Sequence, residues 1–374
     1  MNAMNTIHCA SCSRTYPESD RRWSCYCGGL LDWRPVRMFP LDSLSSRGKS
    51  LWRYRESLPE SCTGSIVSFG EGMTPLVPFT LQGDEIQLKL DYIMPTGSFK
   101  DRGSAVLISH CAGQGIESIV EDSSGNAGAS IAAYAARAGI RCDIYVPAGT
   151  TPAKCALISS AGARLHTIEG ARSAAESAAL KAAKTSYYAS HAHNPFFIAG
   201  TMTAAYEICE QLDWHPPDTV VVPAGNGTLL LGLYRGFQHL HDNGAIPSLP
   251  KCIVVQPVNC SPLYQAFQSG ADSYCDITCL PTFAEGTAVA RPVRLAQMLD
   301  AVSLTGGQVL AVEEHEIMQA CHDMWHNGFM IEPTSALAIA GLSRYLSYRH
   351  ESETIVAVLT GHGMKTTSSG APIT

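Results

Sequence analysis

The sequence predicts an α/β protein built from parallel sheets that helices cover on both faces. Three observations support this prediction. From about residue 116 onward, short runs rich in β-branched residues alternate with segments of helix length. Those runs are apolar throughout, without alternating polar residues, which is typical of strands buried on both faces. The chain has 374 residues, and a single core rarely grows past about 250–300 residues, so we expect two domains.

The predicted elements follow one another in chain order. Gly139 and Gly162 are expected to end two of the helices, because glycine readily adopts the left-handed conformation found at helix C-termini. The strands are predicted at 116–121, 142–146, 164–168, 219–222, 253–256 and 354–359. The helices are predicted at 105–111, 129–138 and 151–160, with a further helix beginning at Leu229.

Composition argues against several classes of protein. The formal net charge is −7 and lysine and arginine form no block, so we expect no nucleic-acid partner. No apolar window approaches the roughly 20 residues that a membrane-spanning helix needs. The first 30 residues carry no secretory pattern, and fourteen cysteines without an export signal favour reduced thiols in the cytoplasm. We therefore expect a cytoplasmic protein with no membrane partner.

The first 36 residues form a separate head in this prediction. Four cysteines are spaced CxxC, then twelve residues, then CxC before a Gly-Gly pair: Cys9, Cys12, Cys25 and Cys27. This pattern fits a tetrahedral zinc site whose four protein ligands leave no open position for catalysis, so the metal would be structural. The alternative is a small ribbon with four reduced thiols and no metal, since the CxC spacing is tighter than the usual CxxC.

The segment PTGSFKDRG at 95–103 carries the most informative pattern. Pro95 and Gly97 predict a turn that delivers Ser98 and Lys100 to the start of an apolar helix. A lysine there meets the positive end of the helix dipole and apolar neighbours, and both favour the neutral amine that forms a Schiff base. By itself, however, the pattern is more typical of a surface lysine that opens a helix.

Two glycine-containing turns change this balance. The sequences SSGNAG at 123–128 and GNGT at 225–228 each follow a predicted strand and open a predicted helix. Such turns present backbone N–H groups to an anion, and the helix N-terminus reinforces them. Neither turn matches the Walker A motif or a full GxGxxG pattern. Together with Lys100 the two turns indicate a phosphorylated cofactor, with a carboxylate as the alternative ligand of one turn.

These motifs resemble those of the threonine synthase family, within the fold-type-II pyridoxal-phosphate enzymes. The matching segments occur in the family's order at 96–103, 123–128, 224–228, 331–336 and 359–365. The cysteine-containing head also resembles the CxxC…CxCGGLL head of many members. The resemblance implies a fold like that of the tryptophan synthase β subunit, with pyridoxal 5'-phosphate as cofactor. It implies a head over 1–36, a large α/β domain over 37–105 and 195–374, and a small α/β domain over 106–194.

The resemblance also implies a role for each matching position. Lys100 would hold the cofactor covalently and then move protons. The other cofactor contacts would be Asn126 to the phenolic oxygen, Gly225, Asn226, Gly227 and Thr228 to the phosphate, and Thr360 to the ring nitrogen. The substrate would be held by Ser98, Ser123, Ser124, Gly125 and Asn194. A hydroxyl facing the ring nitrogen does not keep it protonated, which favours elimination and replacement over transamination.

Two positions depart from the family pattern. The family commonly carries NP[FY]R followed by EGQKT, where this chain has NPFFIAGTMT at 194–203. Phe197 and Met202 therefore replace an arginine and a lysine expected near the phosphate of O-phosphohomoserine. Each lost charge-assisted hydrogen bond would cost about 1.5–3 kcal/mol. Either Lys154 or Arg102 supplies the charge, or the leaving group is not phosphate.

The resemblance implies a homodimeric lyase of amino-acid biosynthesis that converts O-phosphohomoserine to threonine. The FAEGTAV sequence at 283–289 resembles the ADG loop of amino-acid dehydratases more closely than the usual synthase sequence. The alternative is therefore a related enzyme that eliminates or replaces a substituent on another amino acid, such as a dehydratase or a cysteate-synthase-like enzyme. A non-catalytic regulator that senses the cofactor is a further alternative, and the intact Lys100, Asn126 and Thr360 argue against it.

Overall fold

A computed structural model describes residues 6–270, 277–349 and 353–365. The strands are β1 Thr6–Cys9, β2 Thr15–Pro17, β3 Leu31–Trp33, β4 Leu76–Leu81, β5 Asp84–Lys89, β6 Ser118–Glu121, β7 Arg141–Pro147, β8 Arg164–Ile168, β9 Tyr187–Tyr188, β10 Thr219–Pro223, β11 Lys251–Pro257, β12 Gln308–Val312 and β13 Ile355–Val358. The helices are α1 Glu60–Thr63, α2 Lys100–Gly113, α3 Asn126–Ala138, α4 Pro152–Ser160, α5 Arg172–Ala182, α6 Pro195–Thr201, α7 Thr203–Gln211, α8 Thr228–Asp242, α9 Pro262–Ser269, α10 Leu295–Leu304, α11 Glu314–His326 and α12 Pro333–Leu346.

The chain folds into two compact units. The first contains the chain up to Met73 together with Lys100–Thr203, and the second contains Thr74–Phe99 together with the chain from Ala204 onward. The predicted boundary at 105/106 falls inside α2, and the predicted boundary at 194/195 falls between the N-cap of α6 and its first residue. The division into a large and a small domain stays a prediction.

The first unit contains two sheets. The head has three antiparallel strands in the order β2-β1-β3, and the second sheet has four parallel strands in the order β8-β7-β6-β9. The carboxyl ends of β6 and β9 lie at the same edge, because the two strands are parallel neighbours. The turns that follow them are therefore brought together.

The second unit contains six strands in the order β12-β11-β10-β13-β5-β4. All neighbours are parallel, as predicted, except β4 and β5, which form an antiparallel pair at the edge of the sheet. The reason is a two-residue turn in which Gln82 and Gly83 have φ of 55° and 90°, the positive values that close a tight hairpin. The sequence analysis identified neither of these strands.

Helix interiors were predicted better than helix starts. The described α2 begins at Lys100 and α3 begins at Asn126, whereas the sequence predicted starts at 105 and 129. The first turn of α2 consists of three charged residues and Gly103, and that of α3 contains Asn126 and Gly128, so the apolar pattern does not reveal them. The predicted stop at Gly139 is confirmed, with φ of 68°. Among the described helices, none combines the length and the apolar character needed to cross a bilayer.

One pair of cysteines differs from the expectation of reduced thiols. Cys260 and Cys279 form a disulfide, with Cα atoms 4.6 Å apart, while the other described cysteines are free. Asn259 supports the pairing, because its carbonyl accepts from the N–H of Leu280 at 2.8 Å and its amide donates to the carbonyl of Pro281 at 2.6 Å. The tertiary fold thus brings together two sulfurs that lie 19 residues apart in sequence.

Candidate functional site

Lys100 opens α2 in the first unit. Its Nζ lies 5.9 Å from the ring centroid of Phe197, a fully buried residue of α6. A Cβ atom on Gly103 would lie only 2.4 Å from that ring, so glycine at this position lets α2 and α6 approach closely. The predicted position of Lys100 at a helix start is confirmed, and the ring of Phe197 lies close to its amine.

The 123–128 turn connects β6 to α3 in the same unit. Gly125 is the N-cap of α3 and no side chain caps the helix, so its first N–H groups are oriented for an anion. The hydroxyl of Ser123 accepts from the N–H of Gly125 at 3.3 Å. A Cβ atom at Gly128 would lie 2.0 Å from the carbonyl oxygen of Ser123, so the turn closes only with glycine there. This geometry fits the predicted role in binding a carboxylate.

A buried carboxyl–imidazole pair lies beside these elements. The Nδ1 of His191 is 2.6 Å from Oε1 of Glu121, and the His191 ring is 6.0 Å from the ring of Phe197. Burial raises the pKa of Glu121, and the nearby Asp122 charge raises it further. Burial lowers the pKa of His191, and the nearby Lys100 charge lowers it further. For both groups, burial disfavours the charged form. The sequence analysis did not single out His191, because its partner is 70 positions away.

Asn194 makes structural hydrogen bonds within the first unit, which its motif did not indicate. As N-cap of α6, its Oδ1 accepts from the N–H of Phe196 at 3.1 Å. Its Nδ2 donates to the hydroxyl of Tyr187 at 2.7 Å, and the residue is fully buried. The substrate contact that the resemblance implies for Asn194 stays a prediction.

The 224–228 turn connects β10 to α8 in the second unit. Gly227 has φ of 77° and caps α8, and no side chain provides a cap. A Cβ atom at Gly225 would lie 2.9 Å from the carbonyl of Gly286, and one at Gly227 would lie 2.1 Å from the sulfur of Met298. The turn is thus a close-packed glycine cradle at the N-terminus of a helix of 15 residues, which fits a phosphate.

Thr360 follows β13 at the same edge of the second sheet, since β10 and β13 are parallel neighbours. Its backbone is fixed because its N–H donates to Ser335 Oγ at 2.8 Å and its carbonyl accepts from the N–H of Phe99 at 2.9 Å. The hydroxyls of Thr360 and Ser98 are buried, and among the described residues they have no hydrogen-bond partner. A buried hydroxyl without a partner is costly, and a ligand with a ring nitrogen would satisfy Thr360.

Replacing Thr360 with valine tests this interpretation. We expect the stability of the cofactor-free protein to change little, because an unpaired hydroxyl is exchanged for a methyl group. With cofactor bound, turnover should fall about 10- to 100-fold, the cost of one lost hydrogen bond of about 1–3 kcal/mol. Ser335→Ala is the matched control and should instead destabilise the cofactor-free protein, because the buried N–H of Thr360 loses its acceptor. Unchanged turnover in Thr360→Val would contradict the role.

The four predicted metal ligands lie together in the head. The Sγ atoms of Cys9, Cys12, Cys25 and Cys27 are all within 4.8 Å of one another. Two of the sulfur pairs are separated by 3.5 and 3.6 Å, close to the spacing of about 3.8 Å that four zinc–sulfur bonds of about 2.3 Å impose on a tetrahedron. The N–H groups of Ser11 and Cys12 point at the sulfur of Cys9, at 3.3 and 3.4 Å. The donor set fits a closed zinc site.

The chain is similar to known proteins over most of its length. Residues 67–361 match the family model described as "Pyridoxal-phosphate dependent enzyme". The threonine synthase of Methanocaldococcus jannaschii is 34% identical over 96% of this chain and 92% of the relative. The threonine synthase of Methanosarcina acetivorans is 30% identical over 97% of this chain and 92% of the relative.

Solved structures confirm the predicted fold class. A pyridoxal 5'-phosphate-dependent aspartate racemase superposes with a TM-score of 0.71 at 19% identity, over 91% of this chain and all of the racemase. Maize serine racemase superposes with a TM-score of 0.67 at 21% identity, over 78% of this chain and 88% of the racemase. The chain therefore belongs to the family of pyridoxal-phosphate dependent enzymes, with threonine synthases among its relatives.

Proposed function

We propose that the chain is a lyase of the threonine synthase type, acting on a small amino acid that carries a leaving group on its side chain. The observation that carries the proposal is the position of Lys100 at the start of α2, in a unit that also holds the open N-terminus of α3. The resemblance to threonine synthases favours O-phosphohomoserine as the substrate and threonine as the product. The family's cofactor supplies an electron sink that lets a proton leave carbon.

The chain's own residues supply the remaining chemistry in this proposal. Lys100 holds the cofactor and, through Nζ, removes and returns protons at the substrate's carbon atoms. Ser123, Ser124 and Gly125 hold the substrate carboxylate at the N-terminus of α3. The remaining assignments are also kept as proposals: Asn126, Gly225, Asn226, Gly227, Thr228 and Thr360 for the cofactor, and Ser98 and Asn194 for the substrate.

The surroundings of Lys100 favour a second candidate reaction, in which the group that leaves the amino-acid side chain is uncharged. Phe197 and Met202, which replace two cations of the family pattern, are both buried. Arg102 is fully buried and donates to Thr203 Oγ1 at 3.1 Å, so this guanidinium is already engaged in the first unit. An enzyme that eliminates or replaces an uncharged β- or γ-substituent therefore remains the alternative to a standard threonine synthase.

A turnover screen with Phe197→Arg distinguishes the two reactions. We expect weak apparent affinity of the wild type for O-phosphohomoserine and about a 10- to 100-fold lower KM in Phe197→Arg, because a cation pairs with phosphate for about 1.5–3 kcal/mol. O-acetylhomoserine, O-phosphoserine, serine and threonine complete the screen, and Phe197→Met is the uncharged control. Tight binding of O-phosphohomoserine by the wild type and no effect of the arginine would establish the standard reaction.

Assembly and location are part of the same proposal. We expect a homodimer, as the resemblance implies, which light scattering of the purified protein measures. We also propose a cytoplasmic location, a large domain over 37–105 and 195–374, and a small domain over 106–194. The proposed metal is one structural zinc ion in the head, held by the four cysteine sulfurs.

A further inference from the structure

Trp23 lies in the head between the two cysteine pairs and contacts the four-stranded sheet. Its ring meets the rings of Tyr188 and His193 edge-on, with centroids 5.4 Å apart in both cases. Trp23 also packs against a small apolar cluster that includes Val120 on β6. The head therefore covers the end of the sheet formed by β6 and β9.

The strand under Trp23 is short and lies at the edge of the sheet. Strand β9 consists of Tyr187 and Tyr188 and, within the described part of the chain, pairs with β6 alone, through two residue pairs. Edge strands of this length have few backbone hydrogen bonds to hold them, so side-chain packing contributes much of their stability. Trp23 supplies such packing to β9 from outside the sheet.

Tyr188 transmits this contact to the 123–128 turn. Its hydroxyl donates to Oδ1 of Asp122 at 2.8 Å, and both residues are buried. Burial raises the pKa of Asp122, and the bond from Tyr188 opposes that shift. Asp122 directly precedes Ser123, so the position of Tyr188 fixes where the turn begins.

A second attachment fixes the head on the helices of the same unit. Glu18 accepts from the N–H of Ser61 at 2.7 Å and from the indole of Trp33 at 3.2 Å. Ser61 Oγ lies 2.7 Å from Nδ1 of His110 on α2, and the His110 ring stacks on Phe196 of α6 at 3.7 Å. The Trp23 contact and the Glu18–Ser61 contact together hold the head in place. Trp23 is therefore held against Tyr188.

We propose that Trp23 is a positioning residue for the 123–128 turn, acting through Tyr188 and Asp122. Through this contact the head influences the affinity of the turn for the carboxylate of an amino acid, although the head contributes no atom to the reaction. This inference rests on the proposed function, in which that turn binds the substrate carboxylate.

Trp23→Ala tests the proposal, with Trp23→Phe as conservative variant and Tyr145→Ala as matched control. Tyr145 is a partly buried ring that packs against the same apolar cluster, but it is not part of the Trp23–Tyr188–Asp122 contact. The first measurement is amide hydrogen exchange of the peptide covering 122–128, which needs no ligand. We expect exchange to be about 3- to 10-fold faster in Trp23→Ala, because one aromatic contact is lost. The other two variants should show little change.

The second measurement separates positioning from general destabilisation. For Trp23→Ala loaded with cofactor, we expect KM for the amino-acid substrate to rise by a similar factor while kcat and cofactor content change little. The dissociation constant of L-serine, read from the change in visible absorbance, provides the same comparison without turnover. An absence of turnover in every protein would contradict the proposed function alone, since exchange at 122–128 still tests the support. Unchanged exchange in folded Trp23→Ala would overturn the inference.

Discussion

Replacing Lys100 with alanine is expected to abolish the covalent attachment of the cofactor and to lower turnover by at least about 10³-fold. The physical reason is that a primary amine at the start of α2 is the nucleophile that this site offers to the cofactor's carbonyl group. The purified wild type should show the visible absorbance of a lysine-bound cofactor, and the variant should lose that band. The fold should persist, which circular dichroism measures.

Lys181→Ala provides the control for this experiment. Lys181 is an exposed residue in the last turn of α5, so its removal should leave both absorbance and turnover unchanged. Borohydride reduction followed by peptide mapping identifies the attached lysine directly. A reduced adduct on any lysine other than Lys100 would contradict the assignment of the whole site.

The second large effect is expected in the head. The wild type should contain one zinc ion per chain, and Cys9→Ser or Cys27→Ser should lose it. The free energy of unfolding of the head should then fall by several kcal/mol, because zinc binding in small zinc peptides is worth about 10–16 kcal/mol. The folded part of the variant should still bind the cofactor, since a site closed by four cysteines contributes stability and not chemistry. Elemental analysis, thiol titration and thermal unfolding measure these outcomes.

Cys155→Ser is the matched control for the head. Cys155 is a half-buried free thiol on α4, and its replacement should change neither zinc content nor unfolding of the head. Metal-free wild-type protein with four freely titrating thiols in the head would show that the ribbon folds without zinc. The alternative of a metal-free ribbon would then be correct.

Local motifs revealed the parts of the site that are continuous in sequence. The helix-start position of Lys100 and the glycine turns at 123–128 and 224–228 were predicted, because a turn residue, a strand and a helix lie next to one another along the chain. The positions of the four cysteines were predicted for the same reason. The close packing that the glycines permit was not predicted. The atom that a Cβ would strike belongs to another segment, as Met298 does for Gly227.

The sequence by itself determined the alternation of strands and helices, the position of the lysine and the two glycine turns, since periodicity and turn chemistry are local properties. Only the tertiary structure decided which groups became partners. It joined His191 to Glu121 and left the hydroxyl of Thr360 buried and, among the described residues, without a partner. It also placed Trp23 against Tyr188 and formed the Cys260–Cys279 disulfide. The physical reason is that burial and hydrogen bonding depend on segments far apart in the chain, and no local pattern records which of them meet.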